Sequence, residues 1–186
     1  EYLIRHGGKI AIKSVDGTSP LMNASAAGAS NAAKILIMNG AAVQEADRQG
    51  RTPLHYACRG IRDNSSENAA KWEATILLLL DKEAHVNARD IEGKTPLMEA
   101  ASNDAPRIIE LLLTRGALVD ARDDKGWTAL MEAAYHNQTA VIKVLAQRGA
   151  DLNMRNAKGE TALAVAKKRT ATAQAYELLK SLGAKD

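Results

Sequence analysis

What most restricts this chain is a pattern that returns at a fixed distance. Gly93-Lys94-Thr95-Pro96-Leu97-Met98-Glu99-Ala100-Ala101, followed by Ile108-Ile109-Glu110-Leu111-Leu112-Leu113 and Gly116-Ala117, has counterparts on both sides. They are Ser19-Pro20-Leu21-Met22, Thr52-Pro53-Leu54-His55-Tyr56-Ala57, Thr128-Ala129-Leu130-Met131-Glu132-Ala133-Ala134 and Thr161-Ala162-Leu163. The opening hydroxyl residues stand at positions 19, 52, 95, 128 and 161, so the spacing is 33 residues with one interval of 43. A period of this size implies short units that each bury their apolar side only against the next, so the chain length does not count domains.

Each unit punctuates itself. Ser19, Thr52, Thr95, Thr128 and Thr161 precede Pro or Ala, where a hydroxyl can accept from the orphan N–H groups of a first helix turn and Pro fits the first helical position. A second helix is predicted from the dense apolar runs Ile35-Leu36-Ile37, Ile76 to Leu80, Ile108 to Leu113 without Glu110, Val141-Ile142 with Val144-Leu145, and Tyr176 with Leu178-Leu179. Gly40, Gly116, Gly149 and Gly183 end these helices, since glycine takes the left-handed closing conformation without steric cost. Glu83 stands in that place in one unit, and a strained terminus is expected there. Between units, 43–50, 86–93, 119–126 and 152–159 read as projecting connectors, and Asp47, Asp90, Asp123 and Asn156 recur in them because Asx side chains bond nearby backbone N–H groups.

The ten-residue excess lies after Cys58, within the stretch Arg59–Trp72. Ser65 or Ser66 can cap a helix that continues into Ile76–Leu80 and is longer than its relatives. Trp72 is then either a docking knob or a side chain folded back on the stack. The second is favoured, because loops accept insertions at little entropic cost. The last unit carries Lys167, Lys168 and Arg169, and Gln174, Glu177 and Lys180 in its closing helix, as a terminal cap with one unpartnered side should. At the other end, Glu1 to Gly8 matches the close of a preceding unit, so the array is expected to begin upstream of Glu1 and any targeting signal would lie there.

These residues resemble the ankyrin-repeat family, whose Thr-Pro-Leu-His-x-Ala signature is intact at Thr52–Ala57, and the resemblance covers nearly the whole chain. It implies a mainly α fold, a solenoid of helix-turn-helix units joined by β-hairpin loops. The repeats are placed at 14–46, 47–89 with the insertion near 60–70, 90–122, 123–155 and 156–186, after the end of a truncated repeat over 1–13. The signature histidine persists only at His55 and gives way to Met22, Met98, Met131 and Ala164, so its hydrogen bonding is expected to be mostly lost, with Met filling the space. Pro is replaced by Ala129 and Ala162, which remain good helix formers.

Chemistry is not indicated. Gly93-Lys94-Thr95 ends like a phosphate-binding loop, but Ala88 occupies the place of its required first glycine. His6, His55, His85 and His136 fall in different units without metal-binding spacing, and Cys58, the single cysteine, reads as a buried thiol. Glu132 and His136 lie one turn apart, but the sequence offers them no nucleophile, so a solvated pair is expected. Asn23-Ala24-Ser25, Asn64-Ser65-Ser66 and Asn137-Gln138-Thr139 fit the glycosylation pattern by coincidence. No catalytic residue, metal, cofactor or small-molecule substrate is expected. With 25 basic against 22 acidic residues, nucleic acid is not expected, and no apolar run reaches the roughly 20 residues of a membrane span.

Relatives meet partners with their hairpin tips and the inner face of the first helices, and this resemblance carries over onto particular residues. Arg89, Arg122 and Arg155 form a column beside the tip residues Ile91, Lys125 and Lys158. Lys94 and Trp127 follow the turn glycines, while Asn103, Tyr135 and His136 lie at first-helix ends. Trp, Tyr and Arg dominate binding energy at interfaces, and an arginine column favours a protein with an acidic surface. The expected function is a non-enzymatic protein–protein interaction module or scaffold in the cytoplasm. The alternative is the targeting region of a larger enzyme or secreted effector whose catalytic part lies upstream.

Overall fold

The computed structural model describes residues 12–61, 66–169 and 174–185, and the side chains of 66–68 are not among those described. The described residues fall into two compact units, one up to Ile91 and one from Glu92. The expected remnant repeat at Glu1–Gly8, with His6, lies outside the described residues, as do residues 62–65 of the insertion, Ser65 among them.

In the first unit, α1 (Pro20–Ala26) and α2 (Ser30–Met38) form one pair, and α3 (Pro53–Gly60) and α4 (Ser66–Asp81) the next. In the second, α5 (Pro96–Ala101) pairs with α6 (Pro106–Thr114), α7 (Ala129–Tyr135) with α8 (Thr139–Gln147), and α9 (Ala162–Arg169) with α10 (Gln174–Ser181). Within each unit, first helices pack on first helices and second on second: α1 on α3 and α2 on α4, then α5 on α7 on α9 and α6 on α8 on α10. Among the described residues no strand is present.

The caps form as the sequence predicts. Ser19 accepts from the Met22 N–H at 3.3 Å, Thr95 from Met98 at 3.4 Å, Thr128 from Met131 at 3.3 Å and Thr161 from Ala164 at 3.2 Å. At Thr52 the partner is His55, whose Nδ1 lies 3.2 Å from the Thr52 backbone N and 3.0 Å from Oγ1. Met22 does more than fill the histidine's space, because its sulfur accepts from the Ser19 N–H at 3.3 Å. The core follows the period: Leu21, Leu54, Leu97 and Leu130 from the first helices, with Ile76, Leu79, Ile109, Leu112, Ile142, Leu145 and Leu179 from the second, are buried. Ile35, Leu36 and Ile37 are only half-buried, because among the described helices α2 has one second-helix neighbour, α4.

The connectors are tight turns rather than developed hairpins. Asp47 N–H bonds Arg51 O at 3.0 Å and Asp123 N–H bonds Trp127 O at 2.9 Å, closing five-residue tips without a ladder beyond them. Their Asx residues act as expected: Asp47 accepts from the Gln49 and Arg51 N–H groups, Asp123 from Lys125 and Trp127, and Asn156 from Lys158 and Glu160. Neighbouring tips are joined through their backbones, Arg48 N–H to Asp16 O and Ile91 N–H to Gln49 O in the first unit, Asp124 N–H to Glu92 O and Ala157 N–H to Lys125 O in the second.

A second stitch was not predicted. Gln44 accepts from the His85 N–H at 3.1 Å, Asp120 from Asp151 at 3.0 Å and Asn153 from Lys185 at 2.8 Å, each reaching the chain just after the second helix of the following repeat. Gln44 also donates to the Glu83 carbonyl. It thus holds both sides of the one second-helix terminus where a non-glycine residue, Glu83, takes a left-handed φ of 63°. Clamping of this kind lets an L-residue persist where glycine is otherwise preferred.

Trp72 folds back, as favoured. Its Nε1–H donates to Ala26 O at 3.1 Å, and the ring lies against Gly28 and Gly60. α4 is 16 residues long, against nine for α2, α6 and α8, so part of the insertion is an added helical turn and more at its start. Cys58 is buried on α3.

Candidate functional site

The second unit gathers most of the predicted binding residues, and it does so by the repeat period. Lys94, Trp127 and Glu160 each follow a turn glycine and so occupy equivalent places in three successive repeats. Glu132, on α7, is buried and not solvated as the sequence suggested, because the packed first helices enclose it. Lys94 Nζ lies 2.9 Å from its Oε1, and His136 Nε2 4.0 Å from its Oε2. Burial alone would lower the Lys94 pKa, but the hydrogen bond and charge of Glu132, with Glu99 and Glu92, hold it above the ordinary lysine value. One repeat on, Lys168 pairs with Glu160. The Glu160 carboxyl is held below its ordinary range by the Asn156 side chain first and Lys168 second.

Beside these pairs lies an aromatic cluster. Trp127 and Tyr135 meet edge to face with centroids 5.6 Å apart, and Tyr135 and His136 at 5.0 Å. Trp127 and Tyr135 are half-exposed and His136 exposed. The geometry arises locally: the Trp127 N–H is fixed to Asp123 Oδ1 at 2.7 Å just before the Thr128 cap of α7, and Tyr135 is the last residue of that short helix. Arg169, at the end of α9, places its guanidinium carbon 4.1 Å from the Tyr135 ring centroid. Exposure of Lys168-Arg169 is legible from the repeat period, but this stacking is not, because it depends on how far α9 advances relative to α7.

The other predicted residues are placed differently. Arg122 donates from Nη2 to Arg155 O at 2.9 Å, and Arg155 from Nη1 to Gly159 O at 2.7 Å, so these two members of the arginine column tie turn carbonyls together. Lys125 and Lys158 are exposed at their tips. Asn103 is half-buried and donates to Glu99 O at 3.0 Å, closing α5. Arg89 and Ile91 belong to the first unit, where both are exposed and the Ile91 N–H is bonded to Gln49 O. His55 is buried and His85 exposed. Among the described residues no group of three or more His, Cys, Asp or Glu side chains is placed to hold a metal ion. No described helix is long and apolar enough to cross a membrane.

Stacked helix pairs joined by Asx-fixed turns, each with its hydroxyl cap, are accompanied by a direct match. The family model for ankyrin repeats in three copies aligns to residues 1–72, 66–156 and 106–185, covering nearly the whole chain. The chain belongs to the ankyrin-repeat family. Over 75 residues it is 43% identical to Rabankyrin-5 of Mus musculus and 41% identical to Rabankyrin-5 of Homo sapiens, each alignment covering 39% of this chain. The aligned region corresponds to 5% of the length of those relatives, so the likeness concerns repeats and not whole proteins. Ankyrin repeats are in general protein-interaction modules and typically not catalysts.

Proposed function

We propose that this ankyrin-repeat chain binds a partner protein through a surface centred on Trp127 and Tyr135, flanked by Lys94, Asn103 and His136 and by the tips at Arg122, Lys125, Arg155 and Lys158. Arg89 and Ile91 of the first unit are proposed to extend contact at their own tip. The observation that carries this reading is a half-exposed Trp–Tyr pair set edge to face beside an ordered Lys94–Glu132 ion pair. Aromatic side chains held in one rotamer before binding lose little conformational entropy on association, which favours affinity. Binding without catalysis is the corresponding activity.

The test is affinity capture by the intact chain against a Trp127→Ala, Tyr135→Ala variant. Leu118→Ala, which removes an exposed apolar side chain elsewhere, serves as the control. Partners retained by Leu118→Ala and lost with the aromatic pair support the surface, provided the variants keep their helical circular dichroism. Equal recovery by all three chains refutes it.

A further inference from the structure

Partner chemistry follows from how the cations around Tyr135 are occupied. Lys94 is held by Glu132 and Lys168 by Glu160, while Arg122 and Arg155 donate to backbone carbonyls. Each of these positive groups already has an internal acceptor. Arg169 differs. It is exposed, and among the described residues its interaction is with the face of Tyr135, at 4.1 Å. A guanidinium over a ring uses its face for stacking and keeps its N–H donors, which lie in its plane, for an external acceptor. The ring also restricts the side chain, so less rotamer freedom remains to be lost when a forked bond forms.

Resting on the protein-binding reading above, we propose that Arg169, positioned by Tyr135, receives a carboxylate side chain of the partner, with Trp127 giving the apolar footing beside it. The partner chemistry is an acidic peptide segment carrying an apolar residue near its carboxylate. Recognition of the acid therefore belongs to α9 over α7 and not to the arginine column of the turns. A planar carboxylate suits the two parallel donors of a guanidinium, which lysine cannot reproduce. The neighbouring carboxylates Glu132 and Glu160 do not repel it as isolated charges would, because each is neutralised by its own lysine.

The experiment is selection of phage-displayed random heptapeptides on the full chain, followed by titration of the most enriched peptide and its Glu/Asp→Gln/Asn counterpart. Enrichment of acidic sequences is expected, with amide replacement weakening binding about ten- to a hundredfold. Arg169→Ala should abolish that discrimination, Arg169→Lys should restore only part of it, and Tyr135→Leu should reduce it while the peptide's apolar contribution persists. These ratios separate positioning from a general loss of structure, which would weaken both peptides alike. Peptides that need Trp127 but show no acid preference, or an acid preference unchanged in Arg169→Ala, overturn the inference and leave the binding surface standing. Failure to enrich any peptide, or peptides indifferent to Trp127→Ala, overturns both.

Discussion

Gly60 closes α3 where the chain leaves no room for a side chain. A Cβ built there stands 2.1 Å from Ala26 O and 2.9 Å from both Ala26 C and Trp72 Nε1. Ordinary carbon–oxygen contacts begin near about 3.3 Å, so Gly60→Ala must move the end of α1 from the end of α3 by about 1 Å. The nearest obstructing atoms, Ala26 O and C, are backbone and cannot rotate away. Overpacking of this kind costs about 1–3 kcal/mol. The shift also breaks the Trp72 Nε1–H bond to Ala26 O, 3.1 Å long, worth about 1 kcal/mol. Against this, alanine is preferred over glycine in a helix interior by about 1 kcal/mol, and by less at a final residue. Destabilisation wins, by about 2–3 kcal/mol in total. With a urea m-value of about 2 kcal/mol/M, the midpoint should fall by about 1–1.5 M. The assay is urea unfolding followed by far-UV circular dichroism, and by Trp72 fluorescence in a Trp127→Phe background so that one of the two tryptophans reports the first unit alone. Trp72→Phe added to Gly60→Ala should recover part of the loss, since it clears the contact at Nε1 but not that at Ala26 O. A Gly60→Ala chain at least as stable as the parent would refute the close approach of α1, α3 and α4.

Three further outcomes are expected. Glu83→Gly should raise the urea midpoint, because relief of a left-handed L-residue, about 1–2 kcal/mol, exceeds the added unfolded-state entropy of glycine, about 0.5–1 kcal/mol; a lowered midpoint would show that the Gln44 clamp on the Glu83 terminus has removed the strain. Burial pushes the Asp47 carboxyl up, but bonds from the Arg51 N–H, the Tyr56 hydroxyl, the Arg51 side chain and the Gln49 N–H outweigh it and hold the pKa below the ordinary value. Its contribution to stability is therefore present above the unfolded pKa of about 3.9 and lost as pH falls through the lower folded value, so the parent should lose more stability than Asp47→Asn on acidification below about pH 4, measured as urea midpoints across pH. Thr128→Ala should cost about 1 kcal/mol of stability in thermal or urea unfolding, since the hydroxyl that accepts from Met131 N–H at 3.3 Å is removed; an unchanged midpoint would place the capping interaction elsewhere.

The repeat period, the caps, the Asx-fixed turns, the anomalous Glu83 and the longer helix after the insertion were all legible in the chain, because each depends on residues within a few positions of one another. Hydroxyl caps and turn carboxylates act on their own backbone, and a 33-residue period aligns them without reference to the fold. Tertiary structure decided the pairings between repeats. Gln44, Asp120 and Asn153 perform one task with three different side chains, so no recurring letter announces it. Gly60 has no special backbone angle and becomes indispensable only because Ala26 lies against it. The arginines of the turns looked alike in sequence, yet Arg122 and Arg155 bond carbonyls while Arg169, outside that column, stacks on Tyr135. Local chemistry sets where helices start and stop, whereas the use of a long side chain depends on which neighbour the packed helices bring within its few ångströms of reach.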